Sequence, residues 1–427
     1  AMQKGLQTRL SVYLILKSLI NNKSTYDKLF QKEIEKNKYS ARDINFIQSV
    51  VLSSLRHNIQ VKKIIDKFSN KKINEDTYVL LLGAITQLVF LNFKDYAVVH
   101  SSVELSKENK IKTYSGFVNG ILKNIIKEKE SLKKTKIRLN DLPKWFVNKI
   151  TNKNLDKVFY ITNSITEKPD LHLVFKNKFF LKTFLKERNN EDIKTSEISL
   201  KITNHSNIEK LPRYHKGEWW VQDFSSMLPI FLSKELKNKK IIDLCAAPGG
   251  KTFQSLAKIN KLTIIEKNKE RAKTLNSNLK RLNFSNSINI MDALNADEKE
   301  KYDVILIDAP CSSVGTIRKN PEIFFRKNRE DINKYIQIQK KLLKKSVKLS
   351  NKNSLIIYMV CSFLEEETTR QIDDFLKLNN NFYIEKFKTS DYKKLIDKYG
   401  YINCFPTTIN NQVRIDGFFA AKIKRND

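Results

Sequence analysis

From about residue 235 onward, short apolar runs alternate with helical stretches, and this alternation restricts the fold more than any other feature. The runs are "KKIIDL", "KLTIIE", "SINIM", "YDVILID" and "SLIIYMV", and helical stretches such as 268–282 and 331–350 lie between them. Strands that alternate with helices build a doubly wound parallel sheet. Ligands of such sheets bind beyond the carboxyl ends of the strands. We therefore expect a C-terminal α/β, Rossmann-like domain with its site at those ends.

The first 130 residues show a different pattern, because their apolar residues recur every three or four positions. In "SARDINFIQSVVLSSL" these are Ile44, Ile47, Val51 and Leu55, and "YVLLLGAITQLVFLNF" (78–93) and "FVNGILKNII" (117–126) repeat the spacing. A helix that buries one stripe requires this spacing. The stretch 78–93 is short and is interrupted by a glutamine, so we expect a buried helix and no membrane span. The sequence predicts an all-α N-terminal domain.

A charged run and a mixed region separate the two patterns. "KEKESLKKTKIRLNDLPKW" (127–145) has the composition of a linker, and strand-like 170–178 and 198–202 flank a helical 179–187, which predicts a small α+β module. A chain of 427 residues is too long for one core. We expect a helical domain over 1–135, a linker and small module over 136–218, and the α/β domain over 219–427.

The charge of the chain favours a polyanionic partner. Its 79 Lys and Arg residues outnumber 46 Asp and Glu residues, for a net charge of +33. Neutralised phosphates release counterions, so such an excess supports binding to nucleic acid. A general lysine bias would give the same number without any such function. Charge alone therefore does not establish nucleic-acid binding.

Cysteine and histidine usage argues against two other classes of protein. The four cysteines show no paired spacing and the five histidines are scattered, which predicts neither a disulfide framework nor a metal site. No basic-then-apolar leader opens the sequence. We expect a cytoplasmic monomer with no metal and no membrane contact.

The stretch "DLCAAPGGKT" (243–252) follows the first strand of the α/β domain and opens a helix. Gly249 and Gly250 allow the backbone to approach a ligand closely. The tail "GGKT" mimics a nucleotide-phosphate loop, but Cys245 stands where that loop requires a glycine. The stretch therefore predicts a ligand loop that does not grip phosphates.

Acidic residues follow the next two strands. Glu266 can accept hydrogen bonds from ribose hydroxyls, and Asp292 can accept one from an adenine amino group. Either residue alone could be solvated or could cap the next helix. Together with the glycine turn they indicate a nucleoside cofactor without phosphates, and S-adenosylmethionine fits that description.

Two of the scarce cysteines lie beside this predicted site. Cys311 follows "IDAP" and Cys361 follows "IIYMV", each just past the end of an apolar strand. An isolated cysteine is usually a small buried hydrophobic residue. Two thiols at neighbouring strand ends beside a cofactor site suggest nucleophilic chemistry instead.

At this point the sequence resembles a known family, the RNA cytosine-5 methyltransferases of the Nol1/Nop2/Sun group. The segments "DLCAAPGGKT", "DAPCSSVGTIRKNPE" and "YMVCSFLEEE" are similar to its motifs one, four and six, and "WWVQDFSSML" and "DGFFAAKIKR" to its entry segment and closing strand. The helical front, with "FVNGILKNI", resembles the antitermination factor NusB. The combination is typical of members that modify small-subunit (16S) ribosomal RNA, so the resemblance implies that partner.

The resemblance also implies roles for individual residues. Carbon 6 of cytosine accepts a thiolate so that carbon 5 can take the methyl group. The family places the nucleophile at the position of Cys361 and a release-assisting thiol at that of Cys311. DNA cytosine methyltransferases use a Pro-Cys nucleophile, which would favour Cys311, and the residues alone do not rank the two. The family's cofactor residues correspond to Cys245, Ala246, Ala247, Pro248, Gly249, Gly250, Lys251, Glu266, Asp292 and Asp308.

Four further residues receive expected roles. Asp308 would hold the N3 and amino edge of the cytosine, and Lys251 would favour the thiolate or position the base. Arg318 and Lys319 would contact phosphates near the base. Glu266 departs from the family, where aspartate is commoner at this position. Rival functions are a non-catalytic RNA-binding or antitermination factor, a cytosine-5 methyltransferase of another RNA such as tRNA, and a DNA or protein methyltransferase.

Overall fold

Helical and strand-forming segments follow each other in the predicted order. The structure, a computed structural model, describes residues 4–21, 24–150, 152–205, 207–259, 261–326 and 328–427. It divides the chain into a helical unit (Ala1–Lys168 with Ile317–Asn328) and an α/β unit (Pro169–Thr316 with Arg329–Asp427). The domain boundaries that the sequence predicts after residues 135 and 218 remain predictions.

The helical unit buries the predicted apolar stripes. Ser40 and Asp43 form a reciprocal capping box at the start of one helix. The stretch predicted as a helix over 78–93 lies in the α-helix Glu75–Ile85 and the π-helical turn Thr86–Phe90, and the helix ends there. The last long helix of the bundle continues into the predicted linker. The helices are α1 Lys4–Ile20, α2 Tyr26–Lys36, α3 Ala41–Arg56, α4 Asn58–Phe68, α5 Glu75–Ile85, α6 Asp95–Leu105, α7 Ser115–Leu132, α8 Lys144–Val147 and α9 Val158–Ser164. The all-α prediction is confirmed.

The α/β unit begins with the small α+β module. Its antiparallel sheet has the order β2-β3-β1-β4, and a helix connects the first two strands. The module buries aromatic residues between the helix and the sheet. The elements are β1 Leu171–Phe175, α10 Lys178–Glu187, β2 Ile193–Lys194, β3 Ser199–Ile202 and β4 Trp219–Val221.

The larger sheet of this unit combines the predicted parallel strands with an antiparallel edge. Its order is β10-β14-β9-β8-β5-β6-β7, with β11 also paired to β14; β5 to β9 pair in parallel, and β14 is antiparallel to its neighbours. Its elements and covering helices are α11 Phe224–Leu232, β5 Ile241–Asp243, α12 Gly250–Leu256, β6 Thr263–Glu266, α13 Lys269–Arg281, β7 Ile288–Ile290, β8 Tyr302–Asp308, α15 Arg329–Leu349, β9 Ser350–Val360, α16 Thr369–Leu378, β10 Phe382–Glu385, β11 Ile402–Cys404 and β14 Phe418–Arg425. Strands β12 Thr407–Ile409 and β13 Val413–Ile415 pair in a separate two-stranded sheet, and α14 Ile323–Arg326 belongs to the helical unit.

Apolar residues on both faces of this sheet are buried, because helices cover both faces. The fold prediction is confirmed: a helical front precedes a Rossmann-like α/β domain. In the part of the chain that the structure describes, no helix is both long enough and apolar enough to cross a bilayer.

Candidate active site

The carboxyl ends of the parallel strands meet at one edge of the sheet and carry the predicted polar residues. Asp243 is the last residue of β5, Glu266 of β6 and Asp308 of β8, and Cys361 directly follows β9. The register between β5 and β8 and between β8 and β9 keeps these ends level. The sheet therefore collects side chains that lie far apart in the sequence.

The loop between β5 and α12 leaves no room for side chains at its two glycines. Gly249 has φ of +117°, and a Cβ there would lie 2.4 Å from Cζ of Phe253. A Cβ on Gly250 would lie 2.7 Å from Cδ of Gln222. Non-glycine residues at both positions would be strained or would clash. The loop follows a path that only this glycine pair permits.

Asp243 carries an oxygen that no residue satisfies. Its Oδ2 accepts a hydrogen bond from the Thr252 hydroxyl at 2.7 Å, whereas Oδ1 has no partner among the described residues. Burial, reinforced by nearby Asp308, raises the pKa of Asp243 to about 7. A buried carboxylate oxygen without a partner is costly and invites a donor. A nucleoside cofactor with hydrogen-bond donors fits beside this oxygen.

Glu266 helps to shape the same loop. Its carboxylate accepts hydrogen bonds from the backbone N–H of Ala247 at 3.0 Å and of Asn268 at 2.9 Å, and the side chain is buried. Each carboxylate oxygen has a second acceptor position. The longer glutamate, which departs from the family's aspartate, therefore reaches the loop and retains acceptor capacity for a ligand.

The other predicted loop residues differ in exposure. Ala246 is buried, Cys245 is half-buried and Pro248 is exposed. Burial raises the pKa of the Cys245 thiol, and the neighbouring carboxylates add to the effect. This thiol is therefore protonated and is suited to line a site, not to attack a substrate.

Asp292 follows β7 and caps the short turn that comes after it. One of its oxygens accepts from the backbone N–H of Leu294 at 3.0 Å, and the other pairs with the Lys267 ammonium at 2.6 Å. The ion pair holds the pKa of Asp292 below its ordinary value. The residue is ionised and partly exposed, as an acceptor for an amino group must be.

Lys251 and Asp308 form a close ion pair. Nζ of Lys251 lies 2.7 Å from Oδ2 of Asp308 and 3.0 Å from the hydroxyl oxygen of Ser226. Burial opposes the charge on Lys251, but Asp308 and the nearby Cys361 raise its pKa above the ordinary value. A permanent positive charge thus lies beside the thiol.

Cys361 interacts with both Cys311 and Lys251. The neighbouring Cys311, followed by burial, raises the pKa of Cys361 well above its ordinary value, and the charge of Lys251 works in the opposite direction. Cys361 is half-buried and Cys311 is buried. In the free protein Cys361 is therefore a protonated thiol beside a cation that stabilises its thiolate once the proton leaves.

Arg318 and Lys319 belong to the helical unit, unlike the other predicted site residues. The Arg318 guanidinium is 4% exposed and pairs with Glu167 at 2.7 Å, while its carbonyl oxygen accepts two hydrogen bonds from Arg56. Lys319 is exposed. Burial of Arg318 counts against a contact with phosphate and favours a structural role.

Asp243 and Ser226 are site residues that sequence reasoning missed. Both lie inside quoted segments, "DLCAAPGGKT" and "WWVQDFSSML", but nothing local indicated which of their atoms face the site. Across the residues that the structure describes, no group of three or more His, Cys, Asp or Glu side chains could hold a metal ion.

A Rossmann-like sheet with a glycine-bounded ligand loop and two thiols at its edge is the arrangement that the sequence predicts for a methyltransferase. The family model described as 16S rRNA methyltransferase RsmB/F matches residues 230–424, and the NusB family model matches residues 6–127. The α/β unit, called the methyltransferase unit from here on, is thus similar to the RsmB/F rRNA methyltransferases, and the helical unit is similar to the NusB family.

The chain is similar to relatives over most of its length, and it shares its fold with solved structures. The chain is 27% identical to ribosomal RNA small subunit methyltransferase B of Photorhabdus laumondii over 82% of this chain and 86% of the relative. The same enzyme of Pasteurella multocida is 27% identical over 90% of this chain and 89% of the relative. The fold is similar to the crystal structure of PH0851 (TM-score 0.73, 19% identity, 100% of both chains). It is also similar to NSun6 from Pyrococcus horikoshii with SFG (TM-score 0.57, 17% identity, 68% of this chain and 100% of the other).

Proposed function

We propose that this chain methylates carbon 5 of one cytidine in 16S ribosomal RNA through a covalent bond between Cys361 and carbon 6 of the base. The observation that carries the proposal is the position of Cys361 at the end of β9, near the ion pair of Lys251 and Asp308 and near Cys311. A methyltransferase acting on an oxygen or an amino nitrogen has no need of a thiol nucleophile. A pyrimidine carbon needs one, because it becomes nucleophilic only after a nucleophile adds to the ring.

The cofactor side of the site rests on the loop between β5 and α12. When bound, S-adenosylmethionine supplies an electrophilic methyl group on a sulfonium. Asp243, whose Oδ1 is unpartnered, would accept a hydrogen bond from one of its donors, Glu266 would accept from the ribose, and Asp292 would accept from the adenine amino group. The loop residues from Cys245 to Lys251 line its binding surface.

On the base side of the site, one proton must be transferred when the covalent adduct forms. Cys361 is protonated at rest, so its thiol must lose a proton as the Sγ–C6 bond forms. Asp308 lies at the same strand edge and holds the N3 edge of the cytosine, which gains a proton in the adduct. The proton lost by the thiol therefore balances the proton gained at N3. Lys251 stabilises the thiolate during the transfer.

Cys311 acts after the methyl group has joined carbon 5. To restore the aromatic ring, the C5 proton must pass to solvent and the Sγ–C6 bond must break with its electron pair on the sulfur of Cys361, which takes back the proton from N3. The thiol of Cys311 lies beside Cys361 and would assist this elimination. Cys361 is assigned as the nucleophile because the resemblance places it there and because its thiol interacts with the Lys251 ammonium.

The RNA is held by the basic surface of the chain. The NusB-family domain and the net charge of +33 support a phosphate-binding role, and exposed Lys319 is a candidate contact. The target cytidine must be unstacked to reach the sheet edge. We place the enzyme in the cytoplasm, as a monomer, with small-subunit rRNA as the substrate named by its relatives.

The test is incubation of the full chain with radiolabelled S-adenosylmethionine and unmodified 16S rRNA, followed by digestion to nucleosides. We expect the label in 5-methylcytidine at one position, and none with Cys361→Ala. Binding of the cofactor by Cys361→Ala, measured by calorimetry, serves as the control for folding. Label in another nucleoside, or in tRNA alone, would refute the proposal, and absence of label would favour a non-catalytic RNA-binding factor.

A further inference from the structure

A fully buried carboxylate joins the two loops that carry the thiols. Glu367 is 0% exposed and follows the Cys361 segment. Its Oε2 accepts hydrogen bonds from the hydroxyls of Ser312 and Ser362, both at 2.6 Å. Its Oε1 accepts from the backbone N–H of Ser312 at 2.8 Å and from the side-chain amide of Gln339 at 3.2 Å.

The two serines are the residues that directly follow the two cysteines. Ser312 follows Cys311 at the end of β8, and Ser362 follows Cys361 at the end of β9. One carboxylate oxygen therefore binds both loops at once. Charge-assisted hydrogen bonds of this kind are short and about twice as strong as neutral ones.

A second connection links the same loops through their backbones. The N–H of Gly315 donates to the carbonyl oxygen of Cys361 at 3.0 Å, and the N–H of Gly417 donates to the carbonyl oxygen of Gly315 at 2.8 Å. A Cβ on Gly315 would lie 2.0 Å from the oxygen of Gly417, so the loops and β14 are in close contact. The Cys311 loop is thus fixed to the Cys361 loop on two sides.

The carboxylate itself has no role left in the chemistry. Two oxygens offer about four acceptor positions, and four donors occupy them. Its effect on catalysis must therefore pass through the residues that it holds.

We infer that Glu367 is a positioning residue that sets the geometry between the two thiols, so that release of the covalent adduct depends on it. The inference rests on the proposed function, since it assigns separate steps to Cys361 and Cys311. Loosening the serines would slow elimination more than addition, whereas binding of RNA and cofactor would persist.

The central variant is Glu367→Gln, which keeps the shape of the side chain. An amide has one acceptor oxygen, and its nitrogen is a donor, so at least one serine contact is lost. We expect kcat to fall at least about tenfold while KM for RNA and for cofactor changes by less than about threefold. We also expect a denaturant-resistant protein–RNA species that the wild-type enzyme does not accumulate.

Matched variants separate positioning from general stability. Asp397 is a carboxylate of the same unit, and the hydrogen bonds that it accepts among the described residues come from Tyr399, Tyr401 and Asn403, outside both thiol loops. Asp397→Asn should lower the melting temperature without trapping RNA. Ser312→Ala and Ser362→Ala each remove one contact to Glu367 and serve if Glu367→Gln does not fold.

Each outcome bears on one proposal. If wild type forms no 5-methylcytidine, the proposed function fails. If wild type forms it and Cys311→Ser traps RNA, but Glu367→Gln, Ser312→Ala and Ser362→Ala retain wild-type kcat and trap nothing, the positioning role is overturned. Reduced kcat with trapped RNA in these variants, and not in Asp397→Asn, supports it.

Discussion

Replacing Asp243 by asparagine should make the methyltransferase unit more stable at neutral pH and weaken cofactor binding. The carboxylate is buried, accepts one hydrogen bond from Thr252 and leaves Oδ1 without a partner. Ionising it in that position is unfavourable, which is why its pKa rises from 3.8 to about 7. Asparagine keeps the acceptor for Thr252 and removes the charge.

The sign and size of the change in stability with pH follow from proton linkage. Because the pKa of the folded state is raised, the stability associated with Asp243 is fully present below the unfolded pKa of 3.8 and is lost as pH rises through about 7. Each pKa unit corresponds to about 1.4 kcal/mol. Between about pH 5 and about pH 8, the wild type should therefore lose about 3 kcal/mol relative to Asp243→Asn, which does not titrate.

Urea unfolding at several pH values measures this difference. The chain has three tryptophans, and Trp219 and Trp220 are buried in the methyltransferase unit, whereas Trp145 belongs to the helical unit. A Trp145→Phe background lets fluorescence follow the methyltransferase unit alone, for wild type and for Asp243→Asn. Calorimetry with S-adenosylmethionine should show affinity weaker by about tenfold or more for the variant, a loss of about 1.4 kcal/mol.

If the free energies of unfolding of wild type and Asp243→Asn changed equally between about pH 5 and about pH 8, Asp243 would not titrate near neutrality. Unchanged affinity for the cofactor would show that the free oxygen does not face it. Either result would refute the corresponding half of the reasoning.

The remaining predictions concern release, RNA binding and the helical unit. Cys311→Ala should accumulate a covalent protein–RNA complex, seen as a slower band in a denaturing gel; normal turnover without that band would leave Cys311 a packing residue. RNA affinity of the wild type, measured by filter binding, should fall more than about tenfold between about 50 and 200 mM salt. An affinity that does not change with salt would mean that the net charge of +33 does not contribute to RNA binding. Arg318→Met should lower the free energy of unfolding of the helical unit by about 2 kcal/mol, because it removes a charged hydrogen bond to Glu167. Arg318→Met should leave the salt dependence of RNA binding unchanged. Lys319→Met should reduce the slope of the logarithm of RNA affinity against the logarithm of salt concentration by about 1. The reverse pattern would show that Arg318 contacts phosphate.

Much of the fold could be predicted because it depends on local patterns. Strand-helix alternation predicted the parallel strands. The predicted residues Glu266, Asp308 and Cys361 lie at the carboxyl ends of these strands in the structure. The capping box at Ser40 and the buried stripes of the bundle follow from spacing alone.

The rest depends on contacts between distant segments. Burial of Arg318 could not be predicted, because residues 317–328 leave the methyltransferase unit and complete the helical unit. Asp243 is polar in the sequence, and only packing shows that one oxygen has a partner and the other does not. The role of Glu367 likewise requires two loops that are 50 residues apart in the chain to meet at one carboxylate.

The bond between Cys361 and carbon 6 of cytosine can be tested directly with RNA that carries 5-fluorocytidine at the target position. Fluorine at carbon 5 cannot leave as a proton does, so the elimination step is blocked. After methyl transfer, the reaction should therefore stop at the covalent adduct. Mass spectrometry of the digested complex should find one methylated nucleotide on the peptide that contains Cys361, and none after Cys361→Ala. A nucleotide attached to Cys311, or no adduct in an enzyme that methylates ordinary RNA, would contradict the account.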